Sequence, residues 1–188
     1  MEKVLFINAC VRPNSRTLEL AKHILENLSC EIEEVKLYEK ELLPLDLEGM
    51  QIRHEAASRK DFSDSMFDLA KQFASAKTIV IAAPYWDLMF PSILKVYIEN
   101  ITVSGLTFAY GQNGVPKGLC NAKRLVYVTT SGGPILRDFG YEYVHALAKG
   151  FFGIEEVQRV KAEGLDIFGA DVEKILAEAK KFSMRCII

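Results

Sequence analysis

Thr78-Ile79-Val80-Ile81-Ala82-Ala83-Pro84 is an unbroken apolar run closed by a proline. A short run rich in β-branched residues, with no polar alternation, describes a strand buried on both faces. Such strands lie inside mostly parallel sheets covered by helices on each side. Arg124–Thr130 repeats the pattern through Leu125, Val126, Tyr127 and Val128. Upstream, Val4–Asn8 predicts a first strand, and Leu18, Ala21, Ile24, Leu25 and Leu28 follow at helical spacing. Cys30–Leu37 reads as a second strand and Leu45–Arg59 as a polar surface loop with some helix. Phe62–Ala74 has helical spacing through Met66, Leu69, Ala70 and Phe73. Downstream, helices are predicted over Ser92–Ile101, Tyr141–Phe152 and Asp171–Met184, with a short strand at Val157–Lys161. Residues 102–122 hold Phe108-Ala109-Tyr110 and the turn signal Gly111-Gln112-Asn113-Gly114, but no clear helix.

Strands and helices therefore alternate, which specifies an α/β fold with a parallel sheet and helices on both faces. Five strands in this length fit the flavodoxin-like doubly wound order 2-1-3-4-5. Residues 1–188 read as a single domain, with no repeat, low-complexity tract or linker.

Composition narrows the function classes. Hydrophobic residues make up 49% and charged residues 26%, a globular balance that argues against disorder. The net charge of −2 does not favour a general nucleic-acid surface. No apolar run reaches the ~20 residues needed to cross a bilayer, and the N-terminal apolar stretch is too short for a signal peptide. Cys10, Cys30, Cys120 and Cys186 include no Cys-x-x-Cys, which argues against a zinc or iron–sulfur site and for a reducing, cytoplasmic setting. No metal is expected.

In such a sheet, ligands bind beyond the carboxyl ends of the strands, near the switch in strand order. Three loops meet there. The first, Ala9-Cys10-Val11-Arg12-Pro13-Asn14-Ser15-Arg16-Thr17, runs into a helix, with Asn14 as the expected N-cap. Free amides at that helix start favour a phosphate, to which Ser15 and Thr17 can add hydroxyls and Arg12 or Arg16 charge. Ordinary capping with solvated arginines is the competing account. The second loop is Ala83-Pro84-Tyr85-Trp86-Asp87-Leu88-Met89-Phe90-Pro91, whose large apolar side chains, expected to be largely exposed, suit a planar aromatic partner. A loop folded onto the core or onto another subunit would look the same. The third, Thr129-Thr130-Ser131-Gly132-Gly133-Pro134, allows close backbone approach to a flat ring, unless the glycines merely make a tight turn. Phosphate cradle, aromatic wall and glycine edge together match FMN. No Gly-x-Gly-x-x-Gly occurs, so a dinucleotide fingerprint is absent.

The string Cys10-x5-Arg16-Thr17 also resembles the phosphate loop of low-molecular-weight tyrosine phosphatases. Pro13 removes an amide such a loop needs, and no Asp-Pro supplies the general acid of that family.

Over most of its length the sequence resembles the FMN-dependent NADH azoreductases and NAD(P)H quinone oxidoreductases. The resemblance rests on Val80-Ile81-Ala82-Ala83-Pro84, Lys95-Val96-Tyr97-Ile98-Glu99, Gly105-Leu106-Thr107-Phe108-Ala109-Tyr110, Thr129-Thr130-Ser131-Gly132-Gly133 and Ala162-Glu163-Gly164, in that order. It implies FMN phosphate held at Ser15, Arg16 and Thr17. It places the isoalloxazine along Pro84, Tyr85, Trp86, Asp87 and Leu88, its edge at Thr130, Ser131, Gly132 and Gly133, and Phe108 on the substrate side of the pocket. It further implies a homodimer with sites at the subunit interface, and ping-pong transfer of two electrons from NAD(P)H, a transient donor, to a quinone, azo or nitroaromatic acceptor. No side chain is expected to act as a nucleophile, because the flavin carries the chemistry. Ala9, Asp87, Ser131 and Ile135 depart from the usual serine, asparagine, arginine and histidine of these enzymes. A flavodoxin-like electron carrier and an NAD(P)H-dependent FMN reductase are the alternatives; against the carrier stand the near-balanced charge and the apolar loop.

Overall fold

A computed structural model describes residues 3–187. Residues 1, 2 and 188 of the expected 1–188 domain lie outside the described residues, as do the side chains of residues 185–187, Cys186 among them. The strands are β1 (Lys3–Asn8), β2 (Glu31–Lys36), β3 (Thr78–Ala82), β4 (Phe108–Tyr110), β5 (Pro116–Gly118), β6 (Arg124–Thr130) and β7 (Glu156–Ala162). The helices are α1 (Arg16–Glu26), α2 (Leu47–Arg59), α3 (Asp68–Ser75), α4 (Ser92–Ile101), α5 (Phe139–Leu147) and α6 (Val172–Ile187). Five strands pair in parallel in the order β2-β1-β3-β6-β7, which is 2-1-3-4-5 when the strands of this sheet are counted alone.

Period-two alternation along β1, β3 and β6 divides the core. Leu5, Ile7, Ile79, Ile81, Leu125 and Tyr127 face α3, α4 and α5. Val4, Phe6, Val80, Ala82, Val126 and Val128 face the other way, onto Leu20, Ala21, Ile24 and Leu25 of α1 and Leu176 and Ala179 of α6. Each such Leu, Ile or Val contributes about 1.5–3 kcal/mol on full burial. Among the described residues, no helix is long and apolar enough to cross a membrane.

Four local expectations need correction. Leu45–Arg59 is mostly a regular helix, capped by Asp46, whose carboxylate accepts the Gly49 amide at 2.8 Å. Only Ala56 of α2 is buried, so the helix has little apolar stripe for periodicity to reveal. In Phe62–Ala74, regular helix begins only at Asp68, after a 3-10 turn over Ser65–Phe67 capped by Asp64. Helix α5 begins two residues early, at Phe139, because Asp138 caps it, and its end widens into a π-helical turn over Ala148–Phe152. The stretch 102–122 lacks a helix as expected, but folds into the antiparallel hairpin β4–β5.

The hairpin sits at the amino-terminal end of the sheet, where Asn121 donates to Ala74 O at 2.8 Å and Lys123 to Lys77 O at 3.1 Å. Gly118 packs so closely there that a Cβ would lie 2.2 Å from the carbonyl carbon of Phe152.

Candidate functional site

The loops after β1, β3 and β6 stand side by side because the parallel ladder continues past the strands. Ala9 donates to Ala82 O, Ala83 to Val128 O, Tyr85 to Thr130 O and Ser131 to Ala162 O, at 2.9–3.1 Å. An open hollow of about 420 Å³, lined by Lys161, Ile175 and Phe182 among others, runs along β7 and α6 at the free edge of the sheet, away from this switch point.

In the first loop, Ser15 rather than Asn14 is the N-cap. Ser15 N–H donates to Arg12 O at 3.1 Å, a turn that encloses Asn14, and Ser15 Oγ accepts from Leu18 N. The Arg16 and Thr17 amides that open α1 have no intrahelical acceptor and are available to an anion. Their side chains are engaged elsewhere. Arg16 donates through Nη1 to Leu165 O at 3.0 Å and through Nη2 to Asp166 Oδ1 at 2.7 Å. Thr17 is fully buried, its Oγ1 2.6 Å from Thr130 Oγ1. One hydroxyl of this pair donates to the other, which keeps a proton to give. Asn8 sets the loop's entry, accepting from Cys10 N at 2.9 Å and donating to Glu34 at 2.8 Å.

The phosphatase-like constellation is not assembled. Burial pushes the Cys10 thiol up to about 11, so it stays protonated at neutral pH. Its Sγ lies 3.8 Å from Ala82 O, and the Arg16 guanidinium is committed to Asp166. An aryl-phosphate assay of the purified protein is expected to read no hydrolysis above the buffer rate.

In the second loop, Pro84 and Tyr85 are half-buried, and the Tyr85 hydroxyl donates to Arg137 O at 2.7 Å. Trp86 and Met89 then exchange two backbone hydrogen bonds, at 3.0 and 2.7 Å, across a two-residue turn. Both central residues are left-handed, Asp87 at φ 52° and Leu88 at φ 65°. Turns of this type favour Asn-Gly or Asp-Gly, and a non-glycine residue so held costs of order 1–3 kcal/mol. Trp86 and Leu88 are 39% and 45% exposed, whereas Met89 is half-buried and Phe90 is buried at 5%, packed near Tyr143. The expected five-residue apolar rim therefore narrows, because Phe90 and Met89 turn into the core. Asp87 is exposed at the tip and does not cap α4, whose cap position is Pro91.

In the third loop, the carbonyls of Ser131, Gly132 and Gly133 accept from Leu165, Asp166 and Gly164 respectively. The amides of Gly132 and Gly133 have no partner among the described residues and are free for a ligand's polar edge. A Cβ on Gly132 would meet Asp166 Oδ2 at 2.1 Å, so glycine is required while Asp166 holds Arg16. Glu163 accepts from Ile135 N at 3.0 Å and from Lys161 at 2.9 Å. Burial opposes its charge, but these bonds hold its carboxyl below the usual range.

Phe108 does not join the rim of its own chain. It is buried in the hairpin at the far end of the sheet, edge-on to Tyr110 at 5.3 Å and Phe151 at 5.1 Å. Sequence reasoning also missed the residues that brace the loops: Asn8, Asp138, Glu163 and Asp166. Asp138 carried a readable signal, an Asp three residues before Tyr141 at a helix start. Asp166 carried none, because its partner Arg16 is 150 residues away.

The rim fits FMN on its own geometry. A helix start with free amides and a serine hydroxyl lies at one end, and two unpaired glycine amides and an apolar turn lie at the other. Comparison with known proteins agrees. A family described as having a flavodoxin-like fold matches residues 2–184. The chain is 37% identical to an FMN-dependent NADH:quinone oxidoreductase of Lachnoclostridium phytofermentans, over 96% of each chain. Among solved structures it resembles an azoreductase from Bacillus anthracis str. Sterne, with TM-score 0.84 and 25% identity over 100% of this chain and 99% of that one. It also resembles an FMN-dependent NADH-azoreductase from Bacillus anthracis str. Ames Ancestor in complex with FMN, with TM-score 0.80 and 26% identity over 100% of both chains.

Proposed function

The chain belongs to the family with the flavodoxin-like fold, and on that premise we propose that it is an FMN-dependent oxidoreductase. It takes two electrons from NAD(P)H and passes them to a quinone, azo or nitroaromatic acceptor. The observation that carries this reading is the meeting, on one rim, of the free amides opening α1, the Trp86–Leu88 turn and the unpaired amides of Gly132 and Gly133.

When bound, FMN supplies the hydride chemistry that no side chain here must perform. The chain's part is placement. Ser15 Oγ and the amides of Arg16 and Thr17 hold the phosphate, while Arg16 and the Thr17 hydroxyl tie α1 to the loops beyond β7 and β6. Pro84, Tyr85, Trp86, Asp87 and Leu88 line the ring, and Thr130, Ser131, Gly132 and Gly133 form its polar edge. Donor and acceptor use this one pocket in turn, a ping-pong scheme. Phe108, with Tyr110 and Phe151, lies too far from this rim to serve it within one chain, so the acceptor side is completed by the hairpin of a second copy in a homodimer. The free thiols of Cys10 and Cys120 suit a cytoplasmic setting.

Steady-state NADH or NADPH oxidation with a quinone and no protein partner tests the reading. Turnover is expected. Flavin reduction without turnover, relieved only by an added protein acceptor, would point to an electron carrier instead. A carboxylate at the tip of the ring-facing turn disfavours the added negative charge of reduced FMN. Asp87→Asn is therefore expected to raise the midpoint potential of the bound flavin, and an unchanged potential would show that Asp87 faces solvent.

A further inference from the structure

Among the described residues, three non-glycine positions adopt left-handed φ: Lys60, Asp87 and Leu88. Lys60 merely ends α2. Asp87 and Leu88 are adjacent, at the edge of the candidate site, and both are exposed, so burial of their own side chains does not stabilise the turn. Strained backbone of this kind persists only where its surroundings over-determine it. Beyond the two backbone bonds between Trp86 and Met89, what braces this turn comes from residues 137–140. The Tyr85 hydroxyl donates to Arg137 O at 2.7 Å, before the turn. Phe139 N–H donates to Leu88 O at 3.1 Å, on the turn itself. Gly140 packs behind it, where a Cβ would lie 3.0 Å from Phe90 Cδ1 and 3.3 Å from the Met89 carbonyl carbon.

Residues 137–140 are fixed in turn by one buried carboxylate. Asp138, 5% exposed, accepts Tyr141 N–H through Oδ1 at 2.9 Å and pairs through Oδ2 with Arg159 Nη1 at 3.0 Å. The Arg159 guanidinium is steadied over the Tyr141 ring, 4.9 Å from its centroid. The two chain neighbours of Asp138 bond this loop, Arg137 at Tyr85 and Phe139 at Leu88. A buried charge loses heavily if its partner is removed, so this joint is stiff.

We infer that Asp138 is a positioning residue for the redox site: anchored by Arg159 and Tyr141, it holds Arg137 and Phe139 against Tyr85 and Leu88, keeps the Asp87–Leu88 turn left-handed, and so sets the charge and peptide dipoles that face the flavin ring. It touches neither cofactor nor substrate. The inference rests on the proposed flavin site and adds to it the element that tunes the potential from behind the loop.

Four proteins test it: the native chain, Asp138→Ala, Leu88→Gly, and the combination of Asp138→Ala with Leu88→Gly. Leu88→Gly installs the Asp-Gly pair that such turns prefer without outside help. In the FMN-free proteins, exchange of the Trp86, Met89 and Phe139 amides is expected to be at least tenfold faster in Asp138→Ala. Trp86 and Met89 regain protection with Leu88→Gly. In the FMN-loaded proteins, Asp138→Ala is expected to shift the flavin midpoint potential by at least a tenfold change in preference for one redox state, and most of that shift is expected to vanish when Asp138→Ala is made on Leu88→Gly and read against Leu88→Gly alone. A purely structural Asp138 would lower thermal stability while leaving the potential unmoved, or would give a shift that persists on the Leu88→Gly background; either overturns the inference. If Asp138→Ala does not fold, Asp138→Asn, which keeps the cap acceptor and loses the ion pair, carries the same comparison. Failure of the native protein to bind FMN would remove the proposed function, whereas the exchange experiment judges the clamp without flavin.

Discussion

Replacing Ser15 with Ala and Thr17 with Val is expected to weaken FMN binding by about 1–3 kcal/mol, roughly five- to 150-fold, while riboflavin binds the variant and the native protein nearly alike. Ser15 is the cap of α1, and its hydroxyl is free to turn toward a phosphate because its bond from Leu18 N is long, at 3.4 Å. Thr17 acts differently, since its hydroxyl is buried 2.6 Å from that of Thr130. Valine keeps its shape but leaves Thr130 Oγ1 without its partner, loosening the junction of α1 with β6 just below the phosphate. Riboflavin carries the same ring and lacks the phosphate, so the difference between the two ligands isolates that end of the site. Fluorescence titration with each reads both affinities. Equal weakening for both would place the phosphate elsewhere.

Gly118→Ala is expected to cost about 3 kcal/mol of stability, at the upper end for overpacking. The new Cβ would lie 2.2–2.3 Å from Phe152 C, Phe152 O and Gly153 N, all backbone atoms of the π-helical turn and its exit, so no side-chain rotation relieves the clash. The hairpin must lift off, carrying Phe108 and Tyr110 with it. The hairpin lies at the opposite end of the sheet from the rim. FMN affinity should therefore survive in the folded fraction while quinone turnover falls at least tenfold, if the hairpin serves the site of a second copy. A urea midpoint with parallel flavin titration and turnover separates these effects. Unchanged turnover in stably folded variant would detach the hairpin from the acceptor side.

Where burial on both faces dominated, the fold was legible. Residues 79–83 and 125–128 are apolar because helices cover both sides, and each strand ends within a residue of expectation. Helix α2 was not, because it buries only Ala56 and lives on its Asp46 cap and on Arg53, which donates to Glu99 O and Asn100 O. The hairpin was readable as a turn but not as paired strands, since each strand is three residues long. The three rim loops were legible as loops, because proline and glycine punctuate them. What their side chains do was not. Arg16 reads as a phosphate clamp until Asp166, 150 residues away, takes it, and Thr17 reads as a phosphate-binding hydroxyl until Thr130 meets it. The left-handed pair at Asp87–Leu88 had no sequence signal, because Leu88 contradicts the local preference and the bonds that brace the Trp86–Met89 turn come from residues 137–140, about fifty positions on.

The most direct test of the central claim is the visible spectrum of the protein loaded with FMN and treated with NADH in the absence of oxygen. Retention of stoichiometric flavin through gel filtration is predicted. One equivalent of donor should bleach its absorption, NADPH being run in parallel, and one equivalent of a benzoquinone should restore it. A protein that stays colourless after mixing with FMN, or whose bound flavin remains oxidised under excess NADH and NADPH, would contradict the account.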